Sequence, residues 1–141
     1  MSNERAHIIT DLLLGAAHAD GRMDGRESEK VKELVRTLTT DPDVLASCEK
    51  RIKDFVPAKF DVQEAAKGFL GESEDQRYQL LELVAQIHAA DEELDLEEDD
   101  YLRSLGTALG LPDNAFEDLV LDYSVEEKQE MFEDLTDVKV D

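Results

Sequence analysis

Basic residues are scarce in this chain. Fifteen Lys and Arg stand against 36 Asp and Glu, a formal net charge of −21. Phosphates would be repelled by such a surface, so no nucleic-acid partner is expected. Cys48 is the only cysteine, which rules out an internal disulfide and fits a reducing cytoplasm. Nothing approaches eighteen consecutive apolar residues, so no membrane span or direct membrane insertion is expected. Three prolines and seven glycines are too few and too scattered to form a flexible linker. Tryptophan is absent, and no run alternates as a strand would. What remains is a chain of 141 residues with 41% apolar side chains, enough for one domain with a real core.

The apolar residues recur at helical spacing. Ile8, Ile9, Leu12, Leu13, Ala16 and Ala17 stripe a first helix over about 4–19. The apolar stretch from Ile8 to Ala17, followed by Ala17-His18-Ala19, imitates a secretory leader. Asp11 interrupts it and no basic region precedes it, so it reads as a helix. A second helix carries Val31, Leu34, Val35 and Leu38. Asp41 and Pro42 open a third with Val44, Leu45, Cys48, Ile52 and Phe55, which Pro57 ends. A fourth runs from Val62 to Leu70 and stops at Gly71.

Ser73 caps a fifth helix containing Leu80, Leu81, Leu83, Val84 and Ile87, and Leu102, Leu105, Ala108 and Leu109 mark a sixth. Gly110-Leu111-Pro112 stops that one: Gly for a left-handed residue, Leu for a covering contact, Pro against continuation. Phe116, Leu119 and Val120 suggest a short seventh helix. Ser124-Val125-Glu126-Glu127 is a capping box that opens a last one, with Met131, Phe132 and Leu135 inward.

The chain repeats itself at a distance of 71 residues. Asp20, Asp24 and Glu27 fall on Asp91, Asp95 and Glu98, while Ile9, Leu12 and Leu13 fall on Leu80, Leu83 and Val84. Val31, Leu34 and Leu38 fall on Leu102, Leu105 and Leu109. One helix–acidic corner–helix unit is therefore used twice. The expected fold is all-α, with seven to eight helices in a single domain with a pseudo-two-fold internal repeat. The domain should cover 1–123, with repeats of about 5–72 and 73–121. An acidic C-terminal helix and tail should occupy 124–141.

Four of the six corner acids have a local explanation. Asp24-x-x-Glu27 and Asp95-x-x-Glu98 suit helix starts, where carboxylates meet unpaired N–H groups and the positive end of the dipole. Asp20 and Asp91 sit instead where a helix ends, which disfavours an acid by ~0.3–1 kcal/mol. A cation would offset that cost. Asp20, Asp24, Glu27, Asp91, Asp95 and Glu98 are thus the candidate metal ligands, and Ca²⁺ or Mg²⁺ the candidate cofactor, since hard cations take oxygen donors.

An apolar helix ending in Ala19-Asp20-Gly21, a short corner, an acid-led second helix and a second copy about 70 residues on resemble the tellurite-resistance TerB-like family. The resemblance covers roughly 5–121. It implies an all-α domain with an acidic patch, associated with metal and oxyanion stress and proposed to bind divalent cations. The second corner departs from the pattern, with Glu92 where the first has Gly21.

Other constellations do not hold. Asp20-x-x-x-Asp24-Gly25 imitates an EF-hand, but Arg22 and Val31 stand at ligand positions. Glu4-x-x-His7 is the only Glu-x-x-His pair, too few for a di-iron bundle. His18 and His88 do not align under the repeat and read as structural. Cys48 reads as buried, although Lys50 and Arg51 nearby could lower its pKa. Lys50, Arg51, Lys53, Lys59 and Lys67 form the one basic region, which reads as a solvated face.

Residues 1–70 hold 13 acids and 11 bases, whereas 71–141 hold 23 and 4. Such asymmetry suits cations, a basic protein surface or self-association. No nucleophile–base pair, phosphate loop or zinc spacing occurs, so no enzyme is expected. A hydrolase with a carboxylate-bound metal would lack a general base distinct from its ligands. The expectation is a non-enzymatic acidic module of metal or oxyanion stress that binds divalent cations, a protein partner or both. The alternative is a metal-free interaction or dimerisation module.

Overall fold

A computed structural model describes residues 4–18, 26–88, 96–112 and 123–136. These residues form α1 (Glu4–Ala17), α2 (Arg26–Leu38), α3 (Pro42–Asp54), α4 (Val62–Lys67), α5 (Glu74–Ala85), α6 (Leu96–Ala108) and α7 (Val125–Thr136). Short 3-10 turns occupy Pro57–Lys59 and Gln86–His88. No strand occurs among the described residues. The fold is all-α, as the helical spacing predicts. The short helix expected at Phe116–Val120 lies outside the described residues.

Two helices carry the core. On α1, Ala6, Ile9, Leu12, Leu13, Leu14 and Ala16 are all buried, and α5 is buried continuously from Leu80 to Ala85. Burial this wide exceeds one amphipathic stripe, so both helices are enclosed by neighbours rather than laid on a surface. The other six helices all pack against α1. Among the outer helices, α2 shows one inward face, with Val31, Leu34, Val35 and Leu38 buried.

The repeat is visible in the elements themselves. A shift of 71 lays α1 on 75–88, which α5 and the following 3-10 turn occupy, and lays α2 on 97–109, which α6 nearly matches. Packing follows the same exchange: α4 rests on α1 and α6, while α7 rests on α5 and α2. Swapping α1 with α5, α2 with α6 and α4 with α7 preserves this pattern. The domain therefore has a pseudo-two-fold arrangement with α1 against α5 at its centre.

Most stops and starts follow local chemistry. Asp41 Oδ1 accepts from the N–H groups of Asp43 and Val44 at 2.9 and 3.3 Å, with Pro42 leading α3. Ser124 and Glu127 exchange the reciprocal bonds of a capping box, at 3.2 and 3.4 Å. At the end of α6, Gly110 has φ +73°, and the N–H groups of Gly110 and Leu111 bond Thr107 O and Gly106 O. That is a Schellman stop, with Leu111 buried over it.

Two expected boundaries shift. α4 ends at Lys67, and its cap Gly68 is right-handed at φ −64°, so Gly71 is not a left-handed stop. Hydrogen bonds from Phe69, Leu70 and Glu72 carry the chain through a turn instead. α3 ends at Asp54 before Pro57 is reached, because Phe55 is already extended at ψ 131°. Pro57 opens a 3-10 turn.

Candidate functional site

The six corner carboxylates are only partly within reach of the structure. Asp20, Asp24, Asp91 and Asp95 lie outside the described residues. Glu27 is the second residue of α2 and Glu98 the third of α6, placed along their helices without a described side chain. Position along the helix is therefore known for these two alone.

The flanks of the two corners do meet. Tyr101, in the second turn of α6, donates its hydroxyl to Leu12 O on α1 at 2.8 Å. It does so at Gly15, where an added Cβ would lie 2.5 Å from Tyr101 Oη and 2.6 Å from Phe60 Cε2. Close approach of α6 and Phe60 to α1 thus depends on glycine there. Gly15 lies five residues before Asp20, and Tyr101 six after Asp95. Burial pushes the Tyr101 phenol far above its ordinary range, so it stays a neutral donor at any ordinary pH.

His18, the last described residue before the first corner, is structural in its contacts. Its ring stacks on Phe55 with centroids 5.8 Å apart and 17° between planes, and Phe55 meets Phe60 at 5.6 Å. His18 Nδ1 and His7 Nε2 are buried, with no hydrogen-bond partner among the described residues. His88 closes the second 3-10 turn, and its side chain lies outside the described set. Within the acidic run, Asp99 is bonded to Arg103 at 2.8 Å, one turn along α6.

Cys48 is fully buried. Burial pushes its thiol above the ordinary range; a hydrogen bond with Thr10 opposes this, and Asp11 and Glu49 add to it. Neither Lys50 nor Arg51 is among the causes of the shift, and the burial read from the sequence holds. Arg51 is bonded to Asp11.

Several polar anchors escape a reading of the sequence. Arg5 bonds Glu72, donates to Leu135 O at 3.3 Å and lies 5.3 Å over the Phe69 ring, joining α1, α7 and the turn before α5. Buried Glu82 accepts from the Tyr123 hydroxyl at 2.8 Å, and Gln86 accepts from the Tyr123 N–H at 3.2 Å. Gln129 on α7 donates to Thr37 O at 3.0 Å. The available signal was an acid inside an apolar run, Asp11 and Glu82 alike. Neither could be left without a partner.

A family model described as Tellurite resistance protein TerB matches residues 6–121. The chain belongs to the TerB family. The match spans α1 to α6, so both repeats fall inside it, and α7 lies beyond it. Comparison with curated proteins and with solved structures returns no match. Among the described residues of this TerB domain, no group of three His, Cys, Asp or Glu side chains could hold a metal. None of its described helices is long and apolar enough to cross a membrane.

Proposed function

We propose that this TerB domain is a non-enzymatic cytoplasmic module of metal or oxyanion stress that binds a divalent cation through its two acidic corners. The observation that carries this reading is the Tyr101–Leu12 hydrogen bond at Gly15, which ties a flank of one corner to a flank of the other. Asp20, Asp24, Glu27, Asp91, Asp95 and Glu98 would hold the ion. Six carboxylates are the hard oxygen donors that Ca²⁺ or Mg²⁺ takes, and their mutual repulsion would be relieved by it. The bound ion would supply charge neutralisation and cross-linking of the two repeats, with no chemistry asked of it.

The test uses Asn, which caps a helix about as well as Asp but carries no charge. Melting is measured with and without Ca²⁺ or Mg²⁺ in wild type, in Asp20→Asn with Asp91→Asn, and in Asp24→Asn with Asp95→Asn. A cation at ~100 times its dissociation constant stabilises by ~2.7 kcal/mol, which raises Tm by roughly 6–12 °C in a domain of this size. Wild type should gain this beyond a monovalent salt control, and both double variants should lose most of it. No gain in wild type would overturn the cation reading.

A second reading, a metal-free module for a basic protein partner, is favoured by α7. Its Glu126, Glu127, Glu130 and Asp134 are exposed while Met131, Phe132 and Leu135 face inward. Salt-sensitive binding of a basic partner without any divalent ion would support that alternative.

A further inference from the structure

One groove among the described residues has no part in the proposed cation site. A groove of about 510 Å³ opens between α1, the end of α3, the first 3-10 turn and α4. Its apolar wall is built from Ile8, Phe55, Val56, Phe60 and Ala65. That volume lies within the range of small-ligand sites. The wall is held in place from behind: His18 stacks on Phe55, Phe55 packs on Phe60, and Phe60 sits against Gly15. Val56 stands 46% exposed, one of the few large apolar side chains left to solvent among the described residues.

The charges on the lining select the occupant. Four carboxylates, Asp11, Asp54, Asp61 and Glu64, face two cations, Arg51 and Lys59. Arg51 is already committed, with Nε and Nη2 bonded to Asp11. Asp61 uses Oδ1 for both of its capping bonds, and Glu64 uses Oε1 for Lys67, so each retains a second oxygen. Aromatic faces beside carboxylates suit a cation with an apolar body, since ring faces attract cations as well.

We propose that this groove binds a small organic cation: an ammonium or guanidinium head set among Asp54, Asp61 and Glu64, with its flat or aliphatic body against Phe55 and Phe60. The proposal uses none of the corner carboxylates and does not depend on a metal.

The test uses probes of one body and opposite head, phenylbutylammonium and phenylbutyrate, with methylammonium as the head alone. Each is titrated into the full chain at fixed ionic strength, and the ring and methyl NMR signals of Ile8, Phe55, Phe60 and Ala65 are followed. Phenylbutylammonium should shift these signals saturably, while phenylbutyrate and methylammonium should not. Asp54→Asn with Glu64→Gln touches neither a helix cap nor the core. It should weaken phenylbutylammonium binding by roughly twofold to fivefold, the range of a partly exposed ion pair. The proposal is overturned if phenylbutyrate binds as tightly, if methylammonium alone gives the same shifts, if the shifts map elsewhere, or if the double variant binds unchanged.

Discussion

Asp11 and Arg51 meet through two parallel hydrogen bonds, Nε to Oδ1 at 2.8 Å and Nη2 to Oδ2 at 2.7 Å. Asp11 is 14% exposed and belongs to α1, whose buried face is apolar apart from Thr10, while Arg51 reaches it from the last turn of α3. The hydrogen bond to Asp11 raises the Arg51 pKa further above its ordinary value. The pair pins α3 across α1. A two-pronged charge-assisted bond is stronger than a single one, but half of Arg51 is in water and screened.

A double-mutant cycle with Asp11→Asn and Arg51→Gln should therefore give a coupling of about 1 kcal/mol by denaturant unfolding at low salt. It should shrink as salt is raised. Zero coupling at low salt would make the pair incidental to stability.

Gly15 should not tolerate even a methyl group. Alanine favours a helix over glycine by ~1 kcal/mol, so an open site would be stabilised by the change. Here the new Cβ would lie 2.5 Å from Tyr101 Oη and 2.6 Å from Phe60 Cε2. Overpacking costs about 1–3 kcal/mol, which outweighs the gain. Gly15→Ala should lower the unfolding midpoint, and adding Tyr101→Phe should restore only part of it, because the Phe60 contact remains. An unchanged or higher midpoint would contradict the close approach of α6 to α1.

The repeat was legible because its apolar frame recurs at one fixed offset, and the elements obey that offset to within a residue or two. Caps at Asp41, Ser73 and Ser124 were legible because their chemistry is local. Gly71 misled because a glycine can stop a helix yet need not, and the chain turned three residues earlier. Partners across the fold were out of reach. Nothing local couples Arg51 to Asp11 over 40 residues, or Tyr123 to Glu82 over 41. Of the candidate site, the carboxylates were readable as a pattern, but the tie between their flanks needed Tyr101 and Gly15 in three dimensions.

Cys48 should be inert in the native state. Its thiol is buried and its pKa raised chiefly by that burial, so little thiolate exists near neutral pH. A thiol reagent should label it slowly in native buffer and fast in denaturant. Fast native labelling would place it outside the core.

Tyr123 should give a spectroscopic titration late in the alkaline range. Burial, then the hydrogen bond to Glu82, pushes its phenol up to about 12. The unfolded value is about 10, so the folded state holds the proton more tightly. That contribution to stability is complete below pH ~10 and is lost as pH rises toward about 12. Tyr123→Phe should remove this part of the alkaline loss. A phenol titrating at its ordinary value would mean that the Glu82 contact is not formed in solution.

The last helix lies beyond the family match, yet its contacts are those of an integral part. Met131, Phe132 and Leu135 are buried, Phe132 almost completely, against α5 and α2. Gln129 ties α7 to Thr37 at the end of α2, Arg5 donates to Leu135 O, and Tyr123 closes onto Glu82. Removing a buried Phe costs roughly 3–5 kcal/mol. Phe132→Ala should therefore lower stability by about that amount, and deleting 123–141 should cost at least as much. Each change uncovers apolar surface on α5 and α2, so the truncated protein should also bind a hydrophobic dye that the full chain excludes. The polar ties can be separated from burial with Gln129→Ala, which should cost about 1 kcal/mol and leave dye binding unchanged. If Phe132→Ala and the truncation both unfold at the wild-type midpoint, α7 is not docked in solution. Its apolar face would then be free for a partner, as the metal-free reading requires.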